Sequence, residues 1–212
     1  MSLLDRLKNA LQRPERPSGD PEEFARLREL AYAELFGGQP VHVMKHDEFQ
    51  KPPMGGRVDV RLYEFKHGQA SEDVRVAITS GMSDYQMSAR GQAPVPREIF
   101  QYFRECRLED MVRLHDMAWL PLAQGFCLDF FESIGPHPSK WPGSLFLRSL
   151  VEPHAEFKLT LNGDEMRLLW HIPLSETELE FKLKNGVNAL LGRMQERQLP
   201  WIFDENNRPS LV

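Results

Sequence analysis

The chain has 212 residues, 41% hydrophobic and 27% charged, enough for one domain with a core of its own. Its net charge of -5, with no stretch concentrating Lys and Arg, argues against nucleic acid as the main partner. No run nears the ~18 apolar residues of a membrane span, and the opening MSLLDRLKNA lacks the apolar core of a signal peptide, so a cytoplasmic protein is expected.

Leu3, Leu4, Leu7 and Leu11 sit at helical spacing, and Arg13 to Asp20 has linker composition, which sets residues 1–19 apart from a main domain over 20–212. Asp20 has the chemistry of an N-cap, Pro21 suits the first helical position, and Glu23 completes a capping box. The helix predicted from there to Phe36 buries Phe24, Leu27, Ala31 and Leu35 and stops at Gly37-Gly38. Val41 to His46 reads as a short strand. Arg57 to Phe65 alternates Val58, Val60 and Leu62 against Asp59, Arg61 and Tyr63, a strand with one wetter face. Val74 to Thr79 is its expected antiparallel neighbour, and it runs out at Gly81 into a polar segment, GMSDYQM.

Glu98 to Cys106 is read as a strand for its dense aromatics. Leu108 to Leu120 is helical, with Met111, Leu114 and Ala118 on one face, and Pro121 is expected to kink or restart it. Ser144 to Val151 is a strand. Asn162-Gly163 between two alternating runs, Phe157 to Leu161 and Met166 to Ile172, is a hairpin signal. Ser175 and Glu178 form a capping box opening a helix that aligns Leu179, Leu183, Val187, Leu190, Leu191 and Met194, with Gly186 as a possible break point. Hairpins and irregularly spaced helices give the fold class α+β: a mixed, mostly antiparallel sheet with helices packed against it.

Chemistry is harder to find. Gly81-Met82-Ser83 begins like a hydrolase nucleophile elbow, but Tyr85 stands where the second glycine belongs. No P-loop or dinucleotide fingerprint occurs, and no cofactor is implied. His42 and His46 are spaced as helical metal ligands but fall in a strand, where that spacing is ~13 Å, so no metal site is assigned. The two cysteines, Cys106 and Cys127, lie in apolar surroundings as reduced thiols. Asp84 and Glu98 can be imagined as an acid–base pair. The enzyme alternative is a hydrolase-type site assembled from Asp84, His137 and Cys106, which requires their convergence in one pocket.

Five stretches in order resemble the suppressor-of-fused family: ITSGMSD, PREIFQYFRE, IGPHP, the run from IPLSETEL through GVNALL, and WIFDENNRPS. The resemblance covers about residues 57–210. It implies a mixed α+β domain that is not an enzyme and that binds another protein, in animals by adding a short peptide as a β-strand. Bacterial relatives of this stand-alone type are proposed to be immunity proteins that neutralise toxin domains. Carried onto this chain, the expected partner-binding segment is Gly81, Met82, Ser83, Asp84 and Tyr85. Gly81 would supply a positive-φ bend, Asp84 a carboxylate for a partner's donors, and Met82, Tyr85 and Met87 an apolar patch if exposed together. His137 and Arg208 also match family positions, and both are read as structural, Arg208 as a pin for the C-terminus. A homo-oligomer through the N-terminal leucines is the remaining expectation.

Overall fold

The computed structural model describes residues 20–49, 57–65, 74–85, 95–124, 126–136, 140–149, 158–161 and 164–212. The expectations placed on residues 1–19, Met87 and His137 lie outside these.

The first helix, α1 (Pro21–Phe36), is capped by Asp20, which accepts from the Glu22 amide at 2.9 Å, and stops at Gly37 in the left-handed region, φ 77°. Its fully buried residues are Phe24, Arg28, Tyr32 and Phe36, a strict i, i+4 ridge. The expected stripe is therefore displaced: Leu27, Ala31 and Leu35 flank the ridge, half-buried. Two polar residues occupy the ridge because the sheet beneath supplies partners for them.

After β1 (His42–Met44) come β2 (Asp59–Phe65), β3 (Val74–Ser80) and β4 (Arg97–Phe103), then α2 (Leu108–Gln124). Four strands follow, β5 (Ser133–Ile134), β6 (Gly143–Leu147), β7 (Lys158–Leu161) and β8 (Asp164–Leu174), and the chain closes with α3 (Glu176–Asn185) and α4 (Val187–Glu196). The strands form one sheet ordered β1-β2-β3-β4-β8-β6-β5, with β7 also on β8. β4 and β8 are the only parallel pair among the described strands. Arg167 faces both Arg97 of β4 and Lys158 of β7, and Trp170 faces both Phe100 of β4 and Leu147 of β6. Strands β7 and β6 thus follow one another along the side of β8 that β4 does not occupy. The hairpin expected at Asn162-Gly163 is borne out in its pairing, Leu161 opposite Asp164.

Helices cover both faces. Phe24 and Tyr32 of α1, Leu179 of α3 and Leu190 of α4 join Val76, Ile78, Phe100 and Trp170 in one core. Met111, Leu114 and Met117 of α2 join Ala77, Ile99, Phe103 and Leu169 in the other. A sheet covered twice has no wet face: Tyr63, expected on one, is buried at 4.9 Å from the Phe36 ring. Pro121 leaves α2 uninterrupted to Gln124. Gly186, at φ 86°, does break the last helix in two, and Leu183 turns outward at 71% exposure instead of joining the buried stripe.

Candidate functional site

The turn after β3 is a 3-10 turn, Met82–Asp84, entered through Gly81 at φ 123°. A Cβ on Gly81 would lie 2.0 Å from the Arg57 carbonyl oxygen, so only glycine fits. Glu98, fully buried on β4 in the adjacent antiparallel strand, organises the turn. Its Oε1 accepts from the Gly81 and Ser83 amides, both at 2.9 Å, and from Ser83 Oγ at 2.6 Å; its Oε2 accepts from Thr79 Oγ1 at 2.6 Å.

Arg28 closes the cluster from α1. It donates to Ser80 Oγ at 3.1 Å, to Ser83 Oγ at 2.8 Å and to Asp84 Oδ1, and its Nη1 lies 3.7 Å from Glu98. Burial alone would lower the Arg28 pKa, but the charges of Glu98 and Asp84 outweigh it and raise the pKa above the ordinary value. Tyr32 donates to the Thr79 carbonyl at 3.1 Å, and Ser80 Oγ donates to Glu29 at 2.6 Å.

The five residues of the expected partner-binding segment are therefore placed unequally. Gly81, Met82 and Ser83 are buried, Met82 completely, while Asp84 and Tyr85 are half-buried. Met82 belongs to the core on the α2 side and adds nothing to an exposed apolar patch. Asp84 and Glu98 do come together, but around a guanidinium that holds both. Both Glu98 oxygens and Asp84 Oδ1 are taken up by donors, so the pair braces the turn. Arg28 is not singled out by the sequence because an arginine between Arg26 and Glu29 reads as part of a solvated charged face; the apolar ridge at 24, 32 and 36 is the signal that position 28 faces inward.

Of the enzyme alternative, Asp84 and Cys106 do not converge, and His137 lies outside the described residues. Arg75 pairs with Phe103 and Ile78 with Phe100, so the turn that carries Asp84 sits at the Glu98 end of β4 and Cys106 beyond its Phe103 end. Those ends are ~17 Å apart at ~3.4 Å per residue. Burial also pushes the Cys106 thiol up to about 12, which keeps it protonated. Among the described residues no group of three or more His, Cys, Asp and Glu side chains is placed to hold a metal ion, and no helix is long and apolar enough to cross a membrane.

A different surface stands out at the end of the sheet. β5 is the last strand in the order, and no other described strand pairs along its outer side. Phe131, just before it, is 49% exposed and holds a left-handed backbone, φ 68°, fixed by its amide's 2.7 Å bond to the Phe146 carbonyl. Such a conformation is uncommon for a bulky residue and clusters at functional positions. Around it Arg148 and Arg167 lie over the Phe130 ring at 5.0 and 5.9 Å, and Lys182 donates to Ser133 Oγ at 2.8 Å. Asp129 is taken up by Arg97 and Arg167.

At the C-terminus, Arg208 forks onto Glu178 at 2.8 and 2.9 Å, and the same carboxylate accepts from the Leu211 amide at 3.2 Å. Arg208 thus holds the tail to the domain, as its sequence position suggested.

The model for the suppressor of fused protein (SUFU) family matches residues 56–208. This chain belongs to the suppressor of fused family. The match spans the Gly81–Asp84 turn, β5 and the Arg208 latch. In fold the chain is similar to a suppressor of fused homologue from Neisseria gonorrhoeae FA 1090, with TM-score 0.65 and 14% identity over 90% of this chain and 98% of that one. It is also similar to a chain of the Sufu–Fu complex, with TM-score 0.62 and 13% identity over 93% of each. Drosophila Suppressor of Fused matches at TM-score 0.57 and 13% identity; 93% of this chain spans 52% of that one, about half its length. A search of curated proteins by sequence returns no match.

Proposed function

We propose that this family member is a non-catalytic module that captures an extended segment of another protein along β5. The observation that carries the reading is the outer side of β5, which no described strand pairs with, beside an exposed, conformationally fixed Phe131. Strand addition supplies affinity through main-chain hydrogen bonds and specificity through alternate side chains. Arg148 and Lys182 near the strand favour an acidic partner segment. In this reading Gly81, Met82 and Ser83 act from below, fixing the β3–β4 end of the sheet, and Asp84 and Tyr85 are its only members with surface to offer. A relative solved as the Sufu–Fu complex supports a protein partner. The finer form of the proposal is an immunity protein whose partner is a toxin domain.

The test is co-expression with a toxin encoded beside it, followed by capture on the tagged chain. The reading predicts a stable complex that Phe131→Ala or Arg148→Glu weakens at least roughly tenfold, the equivalent of ~1.4 kcal/mol. Capture that survives both substitutions undiminished would remove β5 from the account.

A further inference from the structure

The main chain of β5 offers a partner very little, and that little is well defined. Phe131 and Glu132 spend their amides within the chain: Phe131 donates to the Phe146 carbonyl at 2.7 Å and Glu132 to the Asp129 carbonyl at 3.3 Å. The Glu132 carbonyl accepts from the Phe146 amide at 3.1 Å, so it faces β6. The two-residue period of a strand turns Ile134 the same way and points the Ser133 N–H and C=O out of the sheet. Beyond Ile134 the edge stops. Gly135 is pressed against the start of β6, where a Cβ would lie 2.9 Å from the Pro142 carbonyl oxygen, and Pro136 has no N–H. Ser133 is thus the residue of β5 that can hold both main-chain groups of an added segment.

The side chains divide between the two faces of the same strand. Ile134 packs against the core on the α2 side, where Arg148 lies over the Phe130 ring at 5.0 Å. Ser133 points to the other face, toward α3, and its Oγ accepts from Lys182 Nζ at 2.8 Å. Lys182 forms no ion pair among the described residues. The charge of Glu132 acts on it, but the Glu132 carboxylate is engaged at the Asp129 amide at 2.8 Å. Burial outweighs that charge and lowers the Lys182 pKa, as for an ammonium short of a counter-ion. Residues paired across a sheet set their side chains on one face, with Cβ atoms about 4.5–5.5 Å apart. A residue that pairs with Ser133 therefore brings its side chain to Lys182, with Arg148 on the opposite face.

We propose that Lys182 reads the captured segment: the partner residue that pairs with Ser133 is an aspartate or glutamate, whose carboxylate completes Lys182. This rests on β5 being the capture edge, and adds to that reading a register and one required side chain. A charge-assisted hydrogen bond is about twice as strong as a neutral one, so this position carries selectivity that main-chain bonds alone do not.

The test selects random heptapeptides displayed on phage against the immobilised full chain, then titrates the best as a soluble peptide. An acidic residue at one fixed position is expected. Replacing its carboxylate by the amide should weaken binding to the wild type at least roughly tenfold. On Lys182→Gln, which keeps a donor for Ser133, the same replacement should leave binding nearly unchanged, as for any coupled pair. Selection on Lys182→Glu should return a basic residue at that position. Hydrogen exchange should show the Ser133 backbone amide slowed by the peptide. A peptide that slows this amide but has no acidic residue, or one uncoupled from Lys182, overturns the proposal and leaves β5 as the capture edge. A peptide that leaves the Ser133 amide unchanged, or a selection that enriches none, overturns both.

Discussion

At the scale of single residues, the structure rests on a few buried polar groups that cannot lose a partner cheaply. Arg28 is 3% exposed and Glu98 fully buried, so truncating either strands the other's charge. Arg28→Ala and Glu98→Ala should each cost about 3–5 kcal/mol in urea unfolding. The double variant should cost less than their sum by about 1–3 kcal/mol, since both remove one network. His171 makes stability depend on pH. The unfolded imidazole takes up a proton near 6.5, the folded one only near 3, so the stability present above 6.5 is lost as pH falls. At about 1.4 kcal/mol per unit, the wild type should lose about 2 kcal/mol more than His171→Gln between pH 6.5 and 5, read from urea midpoints. Equal losses would show that His171 is not the titrating group. The thiols make a third test. Burial raises the pKa of both Cys106 and Cys127, so alkylation of the native protein at pH 8 should run at least roughly tenfold slower than in denaturant.

At the scale of elements, glycines separate structural demand from tolerance. Gly81→Ala must place a Cβ 2.0 Å from a carbonyl oxygen at φ 123°. It should destabilise by at least about 1–3 kcal/mol from backbone strain alone. Gly192, inside α4 with nothing within 4 Å of its Cβ position, should gain about 0.5–1 kcal/mol as alanine. The same contrast explains what was legible in the sequence. Signals that act within a few residues survived: the Asp20 cap, the Ser175–Glu178 capping box, the Asn-Gly hairpin, and the break at Gly186. Failures came where another element decides. Arg28 is on the buried ridge because Glu98, 70 positions on, receives it, and Leu183 faces out because Gly186 redirects the helix after it. The β4–β8 pairing joins strands that are far apart in sequence, and no local pattern announces it. The Gly81–Asp84 turn was found for its family motif, yet its burial follows from partners on α1 and β4 that the motif does not contain.

At the scale of the whole molecule, a sheet covered on both faces has only its ends and edges left for recognition. Helices α1, α3 and α4 close one face and α2 the other, so side chains on the strands are spent on the two cores. The β5 side, with its exposed aromatic and surrounding cations, is where main-chain groups and charge meet at the surface. That is the basis for reading this suppressor of fused family member as a capture module. Hydrogen exchange on the complex with a co-expressed partner tests it most directly. The account predicts new protection of the Ser133 backbone amide, whose neighbours Phe131 and Glu132 already donate to Phe146 and Asp129 in the free protein, with the Gly81 and Ser83 amides likewise already slow. Partner-induced protection confined to another surface, with the Ser133 amide exchanging as before, would contradict it.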